Sequence, residues 1–316
     1  MIRVANAPCS WGVLEFEAAA TGAPAAQVLD EMAAAGYAGT ELGDWGFLPT
    51  EPAALAAEVQ RRALSLVGAF VPIALAREDA LDEGVERAVR TAQLLADAER
   101  GYGPFSTADV PEKGPYPFSA MIVLSDDNTT VPDRTARAGR IREEDGLTKA
   151  QWDAFAARAE QVATAVREAA GLRTVFHHHC AGYVETPQEI DALMSRTSAD
   201  LLGLCLDTGH LMYGGGNPVD AIARYRDRIW HVHFKDCEPQ VVRQARADGW
   251  DYHTAVGRGI FCELGKGMVA FTHVLDALRV EYYTGWIVVE QDVRPGLGTP
   301  AESARRNRAY LRRLGI

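Results

Sequence analysis

The chain has 316 residues, of which 47% are hydrophobic and 24% are charged, so it can form a large core and is not expected to be disordered. Its formal net charge of −11 at pH 7 argues against a nucleic-acid partner, because a phosphate backbone binds to basic faces. No apolar run approaches the roughly 20 residues that a membrane-spanning helix needs, so we expect no membrane partner.

Eight short runs of aliphatic and β-branched residues are predicted to be strands. In chain order they cover residues 2–7, 39–43, 64–71, 119–125, 173–179, 201–207, 229–235 and 285–291. Helices are predicted between them, most clearly over residues 150–171. Apolar side chains recur there at steps of three and four from Trp152 to Val166, and Gly171 stands where such a helix would stop. Residues 217–228 and 299–315 show the same pattern.

Alternation of strands and helices, repeated eight times, predicts an α/β fold of the (β/α)8 type, a TIM barrel that forms a single domain over residues 1–316. An open doubly wound sheet is the alternative, but the segment NAPCSWG (6–12) is not the glycine fingerprint that such a sheet needs after its first strand. Three long connections are expected to cover the site at the C-terminal face of the strands, with surface insertion as the alternative. They are residues 100–118, 126–147 and 236–267.

Carboxylates, imidazoles and one amine stand at the predicted C-terminal ends of five strands. They are Glu41, His177 to His179, Asp207 with His210 just beyond, His231, His233 and Lys235, and Glu290. Because the C-terminal ends of barrel strands meet at one rim, these groups are predicted to converge and to suit a divalent metal with mixed nitrogen and oxygen ligands. Strand alternation places His177 and His179 on one face and His178 on the other.

Each of these residues also has a structural interpretation. The two histidines of HVH (231–233) could be core residues bonded to backbone, and Asp207 could be a helix N-cap. Glu290 follows the apolar run IVV, so its carboxylate needs a partner. Ligand-type residues at several strand ends together favour a functional site over coincidence.

Three segments at these strand ends resemble the xylose isomerase-like TIM barrel superfamily, which includes sugar phosphate isomerases and epimerases, inosose dehydratases and AP endonuclease relatives. They are LDTGH (206–210), HVHFKD (231–236) and WIVVEQD (286–292). Three other segments resemble the inosose dehydratase branch, and with them the resemblance covers nearly the whole chain. They are NAPCSWGVLEFE (6–17), GTELGDWGF (39–47) and HHHCAGYVET (177–186).

The resemblance implies four metal ligands, commonly Glu, Asp, His and Glu, from strands five to eight. Asp207, His233 and Glu290 match the last three positions, and His233 is preferred to His231 because it immediately precedes FKD. Strand five departs from the pattern by ending in His, so His177 is favoured, with His179 and Glu185 left open. The implied cofactor is one divalent metal ion, with Mn, Co, Zn or Mg all compatible with such ligands.

The activity that this resemblance implies is a metal-dependent dehydratase, a lyase acting on a keto-cyclitol or keto-sugar such as 2-keto-myo-inositol. A proton next to the carbonyl would be removed and a β-hydroxyl would leave as water. The candidate catalytic residues are His179, His210, Lys235 and Glu41. Substrate contacts are expected from Trp11, Glu185 and Arg140.

Other reactions and partners stay open at this point. The same apparatus supports a keto-sugar isomerase or epimerase acting through an ene-diolate, β-elimination of a 3-keto-glycoside, or a barrel that binds a ligand without converting it. The expected partner is a small polyhydroxylated ketone, and a homo-oligomer is left open. A start without signal-peptide features and five cysteines without a disulfide framework predict a cytoplasmic protein.

Overall fold

The computed structural model describes residues 1–12, 23–102, 119–128, 130–291 and 298–316. Most of the predicted connection at 100–118 lies outside these ranges. Residues 13–17 of the segment NAPCSWGVLEFE and Asp292 at the end of WIVVEQD also lie outside them.

Eight parallel strands close into a barrel in the order β1-β10-β7-β6-β5-β4-β3-β2. They are β1 (Ile2–Asn6), β2 (Gly39–Glu41), β3 (Ser65–Ile73), β4 (Met121–Asp126), β5 (Arg173–His177), β6 (Leu202–Asp207), β7 (Ile229–Phe234) and β10 (Gly285–Val289). The two short strands β8 (Asp236–Cys237) and β9 (Phe261–Cys262) pair antiparallel in the loop after β7. The predicted TIM barrel and its eight strands are therefore confirmed, with ends displaced by no more than two residues.

Helices follow the strands around the outside of the barrel. They are α1 (Ala25–Ala35), α2 (Pro52–Gln60), α3 (Leu81–Tyr102), α4 (Pro132–Arg137), α5 (Lys149–Ala170), α6 (Pro187–Met194), α7 (Thr208–Tyr213), α8 (Pro218–Tyr225), α9 (Pro239–Asp248), α10 (Tyr252–Gly257), α11 (Phe271–Val280) and α12 (Pro300–Arg313). The predicted stop of α5 is confirmed: Gly171 adopts the left-handed conformation, with φ at 72°. No helix within the described ranges combines the length and the apolar character needed to cross a membrane.

Strand alternation decides which side chains enter the barrel. Phe176 of β5 faces outward and packs against Phe155 of α5, with ring centroids 6.0 Å apart. Val175, on the other face of the same strand, packs with Cys205 of β6 in a separate cluster inside the barrel. Because alternate residues share a face, His177 and Asp207 are directed inward at the next layer toward the C-terminal end.

Two of the predicted long connections are ordered over the C-terminal ends of the strands. In the connection after β4, Arg134 is held by Glu189 at the start of α6 through two hydrogen bonds of 2.8 Å. In the connection after β7, the carboxylate of Asp236 accepts hydrogen bonds from the backbone of Gly265, Gly267 and Val269. These buried bonds satisfy groups that would otherwise be costly to bury, and they fix the walls around the rim.

Candidate active site

Four of the predicted ligands meet at the C-terminal rim of the barrel. Nε2 of His177 lies 3.7 Å from Oδ2 of Asp207, and Nδ1 of His233 lies 4.0 Å from the same oxygen. Nδ1 of His233 also lies 3.2 Å from Oε1 of Glu290. One potential ligand atom from each of the four residues lies within 4.8 Å of the others. The structure thus brings together the set that the sequence favoured, with His177 from strand five.

The unpaired atoms of this cluster fit a divalent cation. Oδ2 of Asp207 and Nδ1 of His233 are buried and have no hydrogen-bond partner among the described residues. Burying such groups without a partner is costly. Ligands about 2.1 Å from a tetrahedral ion lie about 3.4 Å from one another, which is close to the separations observed here. Two imidazoles and two carboxylates suit Mn, Co or Zn, whereas Mg prefers oxygen ligands.

The segment LDTGH organises this rim locally. Asp207 caps α7, since its Oδ1 accepts a hydrogen bond of 2.7 Å from the backbone of His210, and Oδ2 is left facing the cluster. The hydroxyl of Thr208 donates to the carbonyl of Lys235 at 2.7 Å. A Cβ atom on Gly209 would lie 2.7 Å from Cγ of Lys235, so glycine allows that side chain to pass. Asp207 therefore combines the expected structural role with a place in the cluster.

Glu41 contacts His233 on the other side of its ring. Oε1 of Glu41 lies 2.9 Å from Nε2 of His233 and 3.0 Å from Nε2 of His231. Burial alone would raise the pKa of Glu41, but His233 and the hydrogen bonds from His231 and His233 lower it to about 2. Glu41 is therefore an anion that receives both imidazole N–H groups. The sequence predicts a catalytic role for Glu41, whereas in the structure its carboxylate is bonded behind a candidate ligand.

Lys235 lies beside the ligand cluster. Its Nζ is 3.2 Å from Oε2 of Glu290 and 3.5 Å from Nε2 of His210, and the side chain is 4% exposed. The ammonium also lies 4.7 Å from the centroid of the Phe261 ring. A buried cation held by a carboxylate at this position can donate a proton to a ligand in the site.

His179 and His210 form the second half of the candidate site. Their ring centroids are 3.8 Å apart, and Nε2 of His179 lies 3.4 Å from the hydroxyl of Tyr252. Burial of most of the ring, with His177 and Lys235 nearby, lowers the pKa of His179 to about 3. Burial and the neighbouring His179 also place the pKa of His210 well below its ordinary value. Both imidazoles are therefore neutral near pH 7, and each has one ring nitrogen with a lone pair.

Trp11 and Glu185, two of the residues expected to contact substrate, make hydrogen bonds within the protein. Nε1 of Trp11 donates to Glu31 of α1 at 2.6 Å. The carboxylate of Glu185 accepts from the backbone of Ala181 at 2.9 Å and of Gly139 at 2.6 Å, and no cluster of candidate ligands among the described residues contains it. These bonds stabilise the loops, so both residues have a structural role that does not depend on a substrate.

Arg140 likewise differs from the expected substrate contact. Its Nη1 donates to the carbonyls of Ala245 at 2.9 Å and Trp250 at 3.0 Å, and Nη2 donates to the carbonyl of Ala136. The guanidinium thus ties the connection after β4 to α9 and its following loop. The physical reason is that Ala136 and Ala245 lie in the last turns of α4 and α9, where helix carbonyls favour cationic donors.

The sequence alone did not indicate Asn128 and Tyr252. The side-chain amide of Asn128 lies 2.8 Å from Nδ1 of His179, and Tyr252 approaches the other nitrogen of the same ring. Asn128 follows β4 by two residues, so the strand-end rule could have identified it. Tyr252 begins a short helix inside the long connection after β7, where no periodic pattern points to the site.

Comparisons with known proteins agree with this architecture. The profile of the family described as "Xylose isomerase-like TIM barrel" matches residues 29–314. The chain belongs to the xylose isomerase-like TIM barrel family. This membership confirms the resemblance carried by the strand-end segments.

Two curated proteins and one solved structure match nearly the full chain. The inosose dehydratase of Geobacillus kaustophilus is 30% identical over 312 residues, covering 99% of this chain and 94% of that protein. The rhizopine catabolism protein MocC of Rhizobium meliloti is 31% identical over 313 residues, covering 99% and 88%. A crystal structure of the IolI protein with a bound zinc atom superposes with a TM-score of 0.67 at 14% identity, covering 99% and 97%. At that identity the superposition supports the fold alone.

Proposed function

We propose that this protein is a metal-dependent dehydratase that acts on a keto-cyclitol or keto-sugar such as 2-keto-myo-inositol. The observation that carries the proposal is the cluster of His177, Asp207, His233 and Glu290 with Lys235 bonded to its edge. The substrate class is proposed because 99% of this chain aligns with an inosose dehydratase at 30% identity.

His177, Asp207, His233 and Glu290 would hold one divalent cation. When bound, such a cation polarises a ketone oxygen and stabilises the negative charge that develops when the adjacent C–H proton is removed. The metal ions Mn, Co and Zn agree best with the mixed imidazole and carboxylate donors.

His179 is the proposed base. A carbonyl can only accept a hydrogen bond, so the 2.6 Å contact between Nδ1 of His179 and the carbonyl of Cys180 places the hydrogen on Nδ1. The side-chain amide of Asn128, 2.8 Å from the same nitrogen, must then turn its oxygen toward the ring. Nε2 is then left with the lone pair. The side chain of His179 is partly exposed, whereas His177, His210 and His233 are buried. His179 is therefore the imidazole best placed to meet a substrate, and His210 supports it through ring contact.

Lys235 is the proposed acid. Its ammonium is held against Glu290 at 3.2 Å, at the edge of the ligand cluster. Proton donation from Nζ to the β-hydroxyl would allow that group to leave as water while the carbon–carbon double bond forms. The proton that His179 removes and the proton that Lys235 supplies balance the elimination.

The test is a spectroscopic assay on purified protein that has been stripped of metal and reloaded with Mn or Co. Scyllo-inosose is added, and the absorbance of the conjugated diketone product is followed. We expect an absorbance increase that disappears with chelator, that is strongly reduced in Lys235→Met and that persists in the exposed-lysine control Lys149→Met.

If no product forms, deuterium exchange from heavy water into the substrate distinguishes an isomerase or epimerase from a protein that does not act on this substrate. Exchange without elimination would replace the dehydratase proposal with an isomerase or epimerase, because proton removal would occur without loss of the hydroxyl. Absence of both signals in a metal-loaded protein would contradict chemistry on this substrate class.

A further inference from the structure

His233 connects two carboxylates through its two ring nitrogens. Its Nε2 lies 2.9 Å from Oε1 of Glu41, whereas its Nδ1 lies 3.2 Å from Oε1 of Glu290 and 4.0 Å from Oδ2 of Asp207. Glu41 belongs to β2 and His233 to β7, and two other strands separate these in the barrel. The carboxylate of Glu41 therefore reaches His233 across the barrel interior, where both side chains are buried.

The contact with Glu41 determines which nitrogen of His233 carries hydrogen. A carboxylate is only an acceptor, so Nε2 must donate, and the distance of 2.9 Å is an ordinary hydrogen-bond length. In the neutral ring, Nδ1 then has the lone pair. That lone pair faces Asp207 and Glu290, which are also acceptors. Such an arrangement is repulsive unless a metal cation lies between the three groups or the ring takes up a second proton at Nδ1.

His231 has the same relation to Glu41, and its ring packs against that of His233 with centroids 5.3 Å apart. Its Nε2 lies 3.0 Å from the same oxygen, Oε1, and the ring is fully buried. Two residues apart on β7, His231 and His233 share the interior face of the strand. The second hydrogen bond therefore fixes the position of the Glu41 oxygen that receives the N–H of His233.

We infer that Glu41 is a positioning residue, which holds His233 in the tautomer and orientation that direct Nδ1 at the ligand cluster, and that His231 holds Glu41 in place. This inference rests on the proposed metal site. Glu41, His231 and His233 could themselves be considered as a ligand set, since one atom of each lies within 4.8 Å of the others. The hydrogen-bond distances of 2.9 and 3.0 Å favour the positioning role, as does Nδ1 of His233, which has no hydrogen-bond partner in the part of the chain that the structure describes.

The test measures metal affinity and tautomer, both without substrate. Glu41→Gln keeps the side-chain shape but removes the charge, and its affinity for Co(II) is measured by competition with a chelator. Loss of a partner behind a ligating histidine typically weakens metal binding 10–100-fold, and we expect a change in this range. His231→Phe should weaken binding in the same direction by a smaller factor. Glu168→Gln, a change on the exposed surface of α5, should have no effect.

Nitrogen-15 spectra of the histidines provide the second readout. In the wild-type protein, with or without Zn(II), we expect hydrogen on Nε2 of His233, and in Glu41→Gln we expect part of that hydrogen to move to Nδ1 in the metal-free form. Unchanged affinity and unchanged tautomer in a folded Glu41→Gln variant would overturn the inference. A loss of Co(II) binding beyond about 1,000-fold, with an altered visible spectrum, would instead make Glu41 a direct ligand. If Glu41→Gln shows the expected changes in metal affinity and tautomer but the wild-type protein fails the dehydratase assay, only the proposed reaction is contradicted.

Discussion

Arg134 and Glu189 form a buried ion pair that ties the connection after β4 to the start of α6. Nη1 and Nη2 of Arg134 each donate to a carboxylate oxygen at 2.8 Å, and its Nε donates to the carbonyl of Gly182 at 2.9 Å. The side chains of Arg134 and Glu189 are 1% and 8% exposed. Substitution of Arg134 by Met would leave an apolar side chain and remove all of these bonds.

Removal of one partner of a buried ion pair typically costs about 3–5 kcal/mol, because the remaining charge loses its counter-ion. Oε2 of Glu189 would keep two donors, the backbone N–H groups of Glu185 at 2.9 Å and Thr186 at 3.1 Å. These retained bonds place the expected loss for Arg134→Met at the lower end, about 3 kcal/mol. The double variant Arg134→Met/Glu189→Gln should lose less than the single variant, because it leaves no unpaired buried charge and keeps a side-chain oxygen for these two backbone amides.

Urea unfolding followed by circular dichroism measures these differences in the free energy of unfolding. Arg243→Met, on the exposed side of α9, is the control and should change stability by less than about 0.5 kcal/mol. A loss below about 1 kcal/mol for Arg134→Met would refute the reasoning, since the pair would then contribute no more than a surface ion pair. A double variant less stable than the single one would refute it as well.

Three other predictions concern the ligand cluster, the proposed acid and the anchor of the last helix. Asp207→Asn removes a candidate ligand charge but keeps a side-chain oxygen for the N-cap, so we expect loss of bound metal with stability within about 1 kcal/mol of wild type. Metal content and the thermal midpoint check this prediction. Full metal content in the variant would contradict the ligand assignment. With the metal site saturated, Lys235→Met should lower kcat by roughly 10²–10⁴-fold because the proposed acid is lost, and a normal kcat in steady-state assays would remove Lys235 from the mechanism. Burial alone would raise the pKa of Glu263, but Arg306 and Lys266 lower it to about 2, so its contribution to stability is fully present above the ordinary pKa of 4.5 and is lost as the pH falls toward 2. In urea midpoints, Glu263→Gln should therefore lose more stability at pH 7 than at pH 3, and an equal loss at both values would show that this charge is not responsible.

The sequence was sufficient for the barrel and for the side of it that carries the site. Periodicity of two in the strands and of three to four in the helices is a local property, so eight strands and the stop of α5 at Gly171 could be predicted without tertiary information. Parallel strands in a closed barrel must end at one rim. That constraint predicted that the strand-end groups converge on one rim, and the family resemblance implied His177, Asp207, His233 and Glu290 as the ligands among them.

Only the tertiary structure decided what each polar side chain contacts. Glu41 stands at a strand end like Glu290, yet its carboxylate crosses the barrel to bond His231 and His233. Glu185 is close in sequence to the histidine run, yet both of its oxygens are used by backbone amides. Strand position determines the face and the layer of a residue. Its hydrogen-bond partners depend on distances across the barrel and on the paths of long loops, which no local pattern specifies.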